Sequence, residues 1–123
     1  MTLTEYADSE MMAIDLANIL AGELGAADVP QPDVCRVGGI TAWVGVADLA
    51  RAHGLPVVPH YVEPLHVHLA AAFGNVPSIE HHSTVLDGVL DSPPLPEGGR
   101  FLPPEDPGHG IRFAGLEGYE KPV

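Results

Sequence analysis

Apolar spacing in this chain changes period repeatedly. "EMMAIDLANILAGEL", residues 10–24, places Met12, Leu16, Ile19, Leu20 and Leu24 at helical intervals, and Gly25 can stop that helix. "GAADVPQPD" then runs extended to Asp33. "GGITAWVGVADLARAH" returns to helical spacing through Ile40, Trp43, Val44, Ala47 and Ala50, and ends at Gly54. "LPVVP" is a short β-branched run that delivers His60. Pro64 is placed to begin a further helix, "LHVHLAAAF", which Gly74 ends, and "PSIEHH" is a third extended segment. Short extended segments alternating with helices at this spacing predict parallel βαβ units, an α/β fold. From Gly88 onward the chain is dense in Pro and Gly, so turns and loops that pack against something else are expected.

Charge narrows the functions such a fold can serve. Lys and Arg number 5 against 17 Asp and Glu, a formal net charge of -12. That surface repels phosphate, which argues against nucleic acid and against anionic membranes as partners. The single cysteine, Cys35, excludes an internal disulfide framework and fits a reducing compartment. "MTLTEYADSE" has neither the basic nor the apolar region of a secretory signal, and no run is long and apolar enough to span a bilayer. The expectation is a soluble, cytoplasmic protein.

Five of the seven histidines fall in "VPHYVEPLHVHLAAAFGNVPSIEHH", which raises the question of a metal site. Zinc needs three or four ligands converging on one point. His66 and His68 are two apart on a predicted helix and point in divergent directions; His81 and His82 are consecutive in an extended segment and point to opposite faces. On spacing, His53, His66, His68, His81, His82 and His109 read as surface or hydrogen-bonded residues, and a small zinc-binding protein is a distant third hypothesis. His60 differs because it ends an extended segment.

The three extended segments end in Asp33, His60 and Glu80. Chemistry in parallel α/β folds collects at the carboxyl ends of strands. Neighbouring strands lie about 4.8 Å apart, which puts Asp33 within reach of the His60 imidazole. A carboxylate there fixes the histidine tautomer and stabilises the imidazolium, making a competent general base near neutral pH. An Asp-containing turn next to an unrelated histidine would produce the same pattern.

"QPDVCRVGGITAW", "LARAHGLPVVPH", "LHVHLAAAFGN" and "SIEHH", in that order, with a closing "PGHGIRF", resemble the C-terminal part of the mandelate racemase and muconate lactonizing enzyme branch of the enolase superfamily. The likeness runs from about Leu16 to Ile111. It implies a fold made of the last βα units of a (β/α)₇β TIM-type barrel, incomplete in this chain. Residues 1–87 would carry strands six to eight, and residues 88–123 would form a tail on the barrel and its capping domain. It also implies Mg²⁺-assisted removal of the proton α to a carboxylate of a small-molecule sugar acid. Asp33 and His60 would be the Asp–His dyad, with His60 as base or as the acid that helps a β-hydroxyl leave. Glu80 would hydrogen-bond the substrate carboxylate or enediolate.

The sequence departs from that family as well. Glu10 stands where the fifth-strand Mg²⁺ ligand belongs, but Ser9 replaces the usual glycine and its flanks do not read as a strand; a helix N-terminal acid is the plainer reading. The other two metal ligands, the lysine-bearing strand and the capping domain have no counterpart, and Lys121, the only lysine, lies in the tail. Three or four strands leave an open edge. Such a chain is expected to depend on a missing N-terminal half or to form a homo-oligomer. The branch of the family that the motifs resemble more is the sugar-acid dehydratases. A racemase is the alternative reaction, and a non-catalytic remnant or assembly module is the alternative of another class.

Overall fold

The structure, a computed structural model, describes residues 28–82 and 88–115. The expected helix at 10–24, Glu10 and Lys121 lie outside the described residues. Two helices are described, α1 (Ile40–Ala52) and α2 (Glu63–Ala72). They alternate with extended segments at 30–33, 55–60 and 76–82.

The extended segments run in one direction. Val58 and His60 donate their backbone N–H groups to the carbonyls of Pro30 and Pro32 (3.1 and 3.3 Å), so both partners advance by two residues together. The third segment joins the second through Val57 N–H to Asn75 O and Glu80 N–H to Pro59 O (2.8 and 3.4 Å). This is parallel pairing. No regular strand forms among the described residues, and the prolines account for it. Pro30, Pro32, Pro56, Pro59 and Pro77 lack the N–H that would complete a ladder.

Helix α1 begins after Gly39 and ends as its sequence dictates. Gly54 takes φ 71°, its N–H bonds Arg51 O (3.0 Å) and the Leu55 N–H bonds Ala50 O (2.9 Å). These two bonds cap the last turn in the left-handed pattern that glycine permits. Helix α1 buries Trp43, Val46, Ala47 and Ala50. Ile40, expected on the same apolar stripe, is instead 50% exposed at the first turn. Helix α2 starts one residue ahead of Pro64, at Glu63, whose acid suits the positive end of the helix.

The core joins the helices to the extended segments: Val34, Trp43, Ala47, Ala50, Val57, Leu69 and Val76 form one buried cluster. Trp43 is fully buried, meets Phe73 edge-on at 5.7 Å and donates its indole N–H to Pro32 O (3.1 Å). Asn75 donates to Ala47 O and Leu55 O, tying the loop after α2 to the middle of α1 and to the start of the second extended segment.

Residues 88–115 are organised differently. A two-residue turn at Gly98 and Gly99, both with positive φ, closes the Glu97–Arg100 pair, the geometry that suits a tight hairpin. Leu90 pairs with Phe113, flanked by Asp91 N–H to Arg112 O and Ala114 N–H to Val89 O. Among the large apolar side chains here, Leu90 is buried, whereas Val89, Leu95, Leu102 and Phe113 are 45–69% exposed.

Candidate active site

Asp33, His60 and Glu80 meet at the carboxyl ends of the three extended segments. Asp33 is 3% exposed. Its Oδ1 accepts the Cys35 N–H at 2.8 Å, a local turn that fixes the carboxylate, and leaves Oδ2 facing His60 Nδ1 at 3.3 Å. Arg36 stands 3.9 Å away with an exposed side chain, too far and too solvated to compete. Because an ionised carboxylate only accepts, Nδ1 carries the imidazole proton and Nε2 keeps its lone pair. That Nε2 points to Glu80 Oε2, 3.9 Å away. Glu80 also accepts the Tyr61 N–H at 3.3 Å.

The chain leaves His60 through two residues with left-handed backbone, Tyr61 (φ 58°) and Val62 (φ 43°). For a β-branched residue this conformation is strained. The turn is held by His66, which is fully buried in α2. His66 Nδ1 donates to Tyr61 O and its Nε2 accepts the Val34 N–H at 3.2 Å. One neutral imidazole therefore ties the residue after Asp33 to the residue after His60. Burial pushes its pKa below the ordinary 6.5, outweighing the carbonyl of Tyr61 and the charges of Asp33 and Glu63. Sequence spacing classed His66 as surface or hydrogen-bonded; the structure makes it hydrogen-bonded and internal.

Glu63 plays the matching part on the third segment and went unnoticed in the sequence. It is 3% exposed, and its Oε1 accepts the His82 N–H at 2.5 Å and faces His81 Nδ1 at 3.3 Å. The helical spacing of Glu63 and His66, one turn apart, is the signal that puts both on the buried side of α2. His81 and His82 do point apart, as expected: His81 packs on Phe101 (5.2 Å), while His82 turns toward Glu80 and His60. His82, read from spacing as a surface or hydrogen-bonded residue, lies beside the site: its Nε2 is 3.1 Å from Glu80 Oε2, and its ring centroid 6.0 Å from that of His60. Period-two alternation carried the clue, since Glu80 and His82 share a face. His68 donates to His109 O at the surface, away from this cluster. Partial desolvation, then the Asp33 charge, push the Cys35 thiol pKa up, which disfavours its thiolate.

Parallel extended segments joined by helices, with an oriented Asp–His pair and a glutamate gathered at their carboxyl ends, define a piece of a βα-repeat enzyme fold. The chain belongs to the Enolase C-terminal domain-like family, whose model matches residues 14–116. It is 39% identical over 100 residues to L-rhamnonate dehydratase of Saccharopolyspora erythraea, covering 74% of this chain and 26% of that protein. It is 45% identical over 56 residues to L-talarate/galactarate dehydratase of Salmonella typhimurium, covering 46% of this chain and 14% of that one. Among solved structures, L-talarate dehydratase from Polaromonas sp. JS666, complexed with Mg and L-glucarate, superimposes with a TM-score of 0.73. Identity there is 35%, over 92% of this chain and 29% of that one. The chain thus spans about a quarter of the length of the relatives it matches.

Whether this chain can itself hold the Mg²⁺ of such relatives is a question of donors. Among the described residues one group of three or more potential ligands converges: His60, Glu80 and His82. Mg²⁺ requires an octahedron of hard oxygen donors, and two imidazoles with one carboxylate do not supply it. Glu10, the expected ligand, lies outside the described residues.

Proposed function

We propose that the chain is the C-terminal part of an enolase-superfamily enzyme that removes the proton α to a carboxylate, and that the enzyme is a dehydratase of aldonate or aldarate sugar acids. The observation that carries this reading is the Asp33–His60 pair, in which a buried carboxylate holds the Nδ1 proton and leaves Nε2 free at the mouth of the site. His60 Nε2 takes the α-proton, and Asp33 stabilises the resulting imidazolium. The electron pair left on the α-carbon expels the β-hydroxyl, which takes the proton held by the His60 imidazolium and departs as water. Glu80 hydrogen-bonds the substrate carboxylate or the enediolate.

Residues 1–87 in this reading are the last βα units of a (β/α)₇β barrel, and 88–123 a tail that packs on the barrel and on a capping domain. The remaining strands, the cap and the Mg²⁺ ligands come from polypeptide beyond the described residues. The relatives named as dehydratases, and the one holding L-glucarate with Mg, support the substrate class.

The test is α-proton exchange of aldonates and aldarates in D₂O with Mg²⁺, using this chain joined to the N-terminal barrel and cap that complete it. Exchange is expected, with His60→Asn lowering it by about 10²–10⁴-fold, the usual worth of a positioned base. Exchange that ignores His60→Asn, or none in the reconstituted protein, overturns the reading.

A further inference from the structure

We propose that His60, Glu80 and His82 form a binding site for a divalent transition metal of the Zn²⁺ class, chemically distinct from a Mg²⁺ site. One donor atom from each of the three lies within 4.8 Å of the other two. The Glu80 Oε2 to His82 Nε2 distance is 3.1 Å, and Glu80 Oε2 to His60 Nε2 is 3.9 Å. Tetrahedral coordination at Zn–N and Zn–O distances of about 2.0–2.1 Å places donors roughly 3.3 Å apart. One edge is already that short, and the others close by side-chain rotation of the half-exposed His60 and Glu80.

Three features point to a cation, two of them resting on the Asp33–His60 contact. The Asp33 carboxylate holds the Nδ1 proton of His60, so a lone pair, not an N–H, faces the Glu80 carboxylate. Acceptor facing acceptor needs a positive or donating group between them, and a metal ion is one that serves both. His82 Nε2 is buried and makes no hydrogen bond, although it lies at the same carboxylate. Finally, Asp33 behind His60 reproduces the carboxylate–histidine–metal arrangement, in which an outer acid orients the ligand and raises its basicity. Two imidazoles and a carboxylate select zinc, cobalt, nickel or copper over magnesium. Three protein ligands leave the fourth position to water.

The binding claim stands apart from the proposed reaction, because it asks only for the lone pair that the reaction would use. Metal and α-proton compete for His60 Nε2, so a Zn²⁺ ion bound there blocks the base rather than assisting it.

The test is calorimetric titration of the purified chain with Zn²⁺, with Co²⁺ as the spectroscopic probe. One Zn²⁺ per chain is expected, with tetrahedral Co²⁺ absorption. His60→Gln, Glu80→Gln and His82→Gln should each weaken binding at least ~10-fold, Asp33→Asn by ~10-fold through the outer shell, and the exposed His53→Gln not at all. In the unmodified chain, Zn²⁺ should shift the ring nitrogens of His60 and His82 in NMR spectra while those of His66 and His81 stay in place. The proposal is overturned by no Zn²⁺ binding, by Mg²⁺ displacing Zn²⁺ at equal concentration, by full affinity in His82→Gln, or by shifts at His66 and His81 instead. Each of these results is read without Mg²⁺-supported α-proton exchange, so failure here leaves the proposed reaction standing.

Discussion

Residues 28–82 and residues 88–115 are built on opposite plans. In the first, side chains reach across the chain: Trp43 to Pro32, His66 to Val34 and Tyr61, Glu63 to His82. In the second, the backbone closes on itself through short pairings and glycine turns, and most large apolar side chains face outward. The first plan ties groups remote in sequence to one another, which a site requires. The second leaves an apolar surface along α2, where a cavity of about 610 Å³ opens between Val67, Ala71, Ile79, Phe101 and Leu102.

Truncation of side chains should separate the two plans most widely. Trp43→Ala removes the centre of the buried cluster and is expected to cost about 3–5 kcal/mol, read as a shift in the urea midpoint. Leu102→Ala, at a side chain 69% exposed, should stay within about 0.5 kcal/mol. Equal losses would erase the distinction.

Next in size is His66→Leu, which fills the volume but strands the Val34 N–H and the Tyr61 carbonyl. A loss of about 1–3 kcal/mol at neutral pH is expected. The same residue makes stability depend on pH. Its folded pKa lies below the unfolded value of 6.5, so below that pH the unfolded chain binds a proton that the folded chain excludes. The contribution is therefore complete above pH 6.5 and declines as pH falls, by at most about 1.4 kcal/mol per pH unit. Denaturation midpoints across that range should fall in the parent chain and flatten in His66→Leu.

The buried acid of α2 should rank close behind. Glu63→Ala leaves the His82 N–H without its partner, an expected cost of about 1–3 kcal/mol. It should also loosen the end of the third segment, seen as faster amide exchange at His82. The smallest effect belongs to the exposed Asp48–Arg51 pair of α1 (2.8 Å). Arg51→Ala is expected to cost below about 1 kcal/mol and less still in high salt.

The alternation of extended segments and helices was legible because apolar periodicity and glycine stops act locally, and the convergence of Asp33, His60 and Glu80 follows from parallel pairing alone. The regular strands expected there did not form, because each proline lacks the N–H that a strand ladder needs. Glu63 and His66 were hidden for another reason. A polar residue in a helix looks solvated until a partner is known, and their partners lie on other segments, at Tyr61, Val34 and His82. The role of His82 turned on which face of the third segment looks toward His60, a tertiary fact that alternation narrows to two choices without choosing between them.

Trp43 carries one last consequence. It is the only tryptophan in the chain, it is sealed from water, and its ring centroid lies 6.0 Å from that of His66. The molecule thus contains its own optical reporter. The colour of the indole emission records whether the cluster is closed, and its brightness responds to the charge on the neighbouring imidazole. A single unlabelled fluorescence trace can therefore follow the assembly of the fold around the neutral histidine that braces the site.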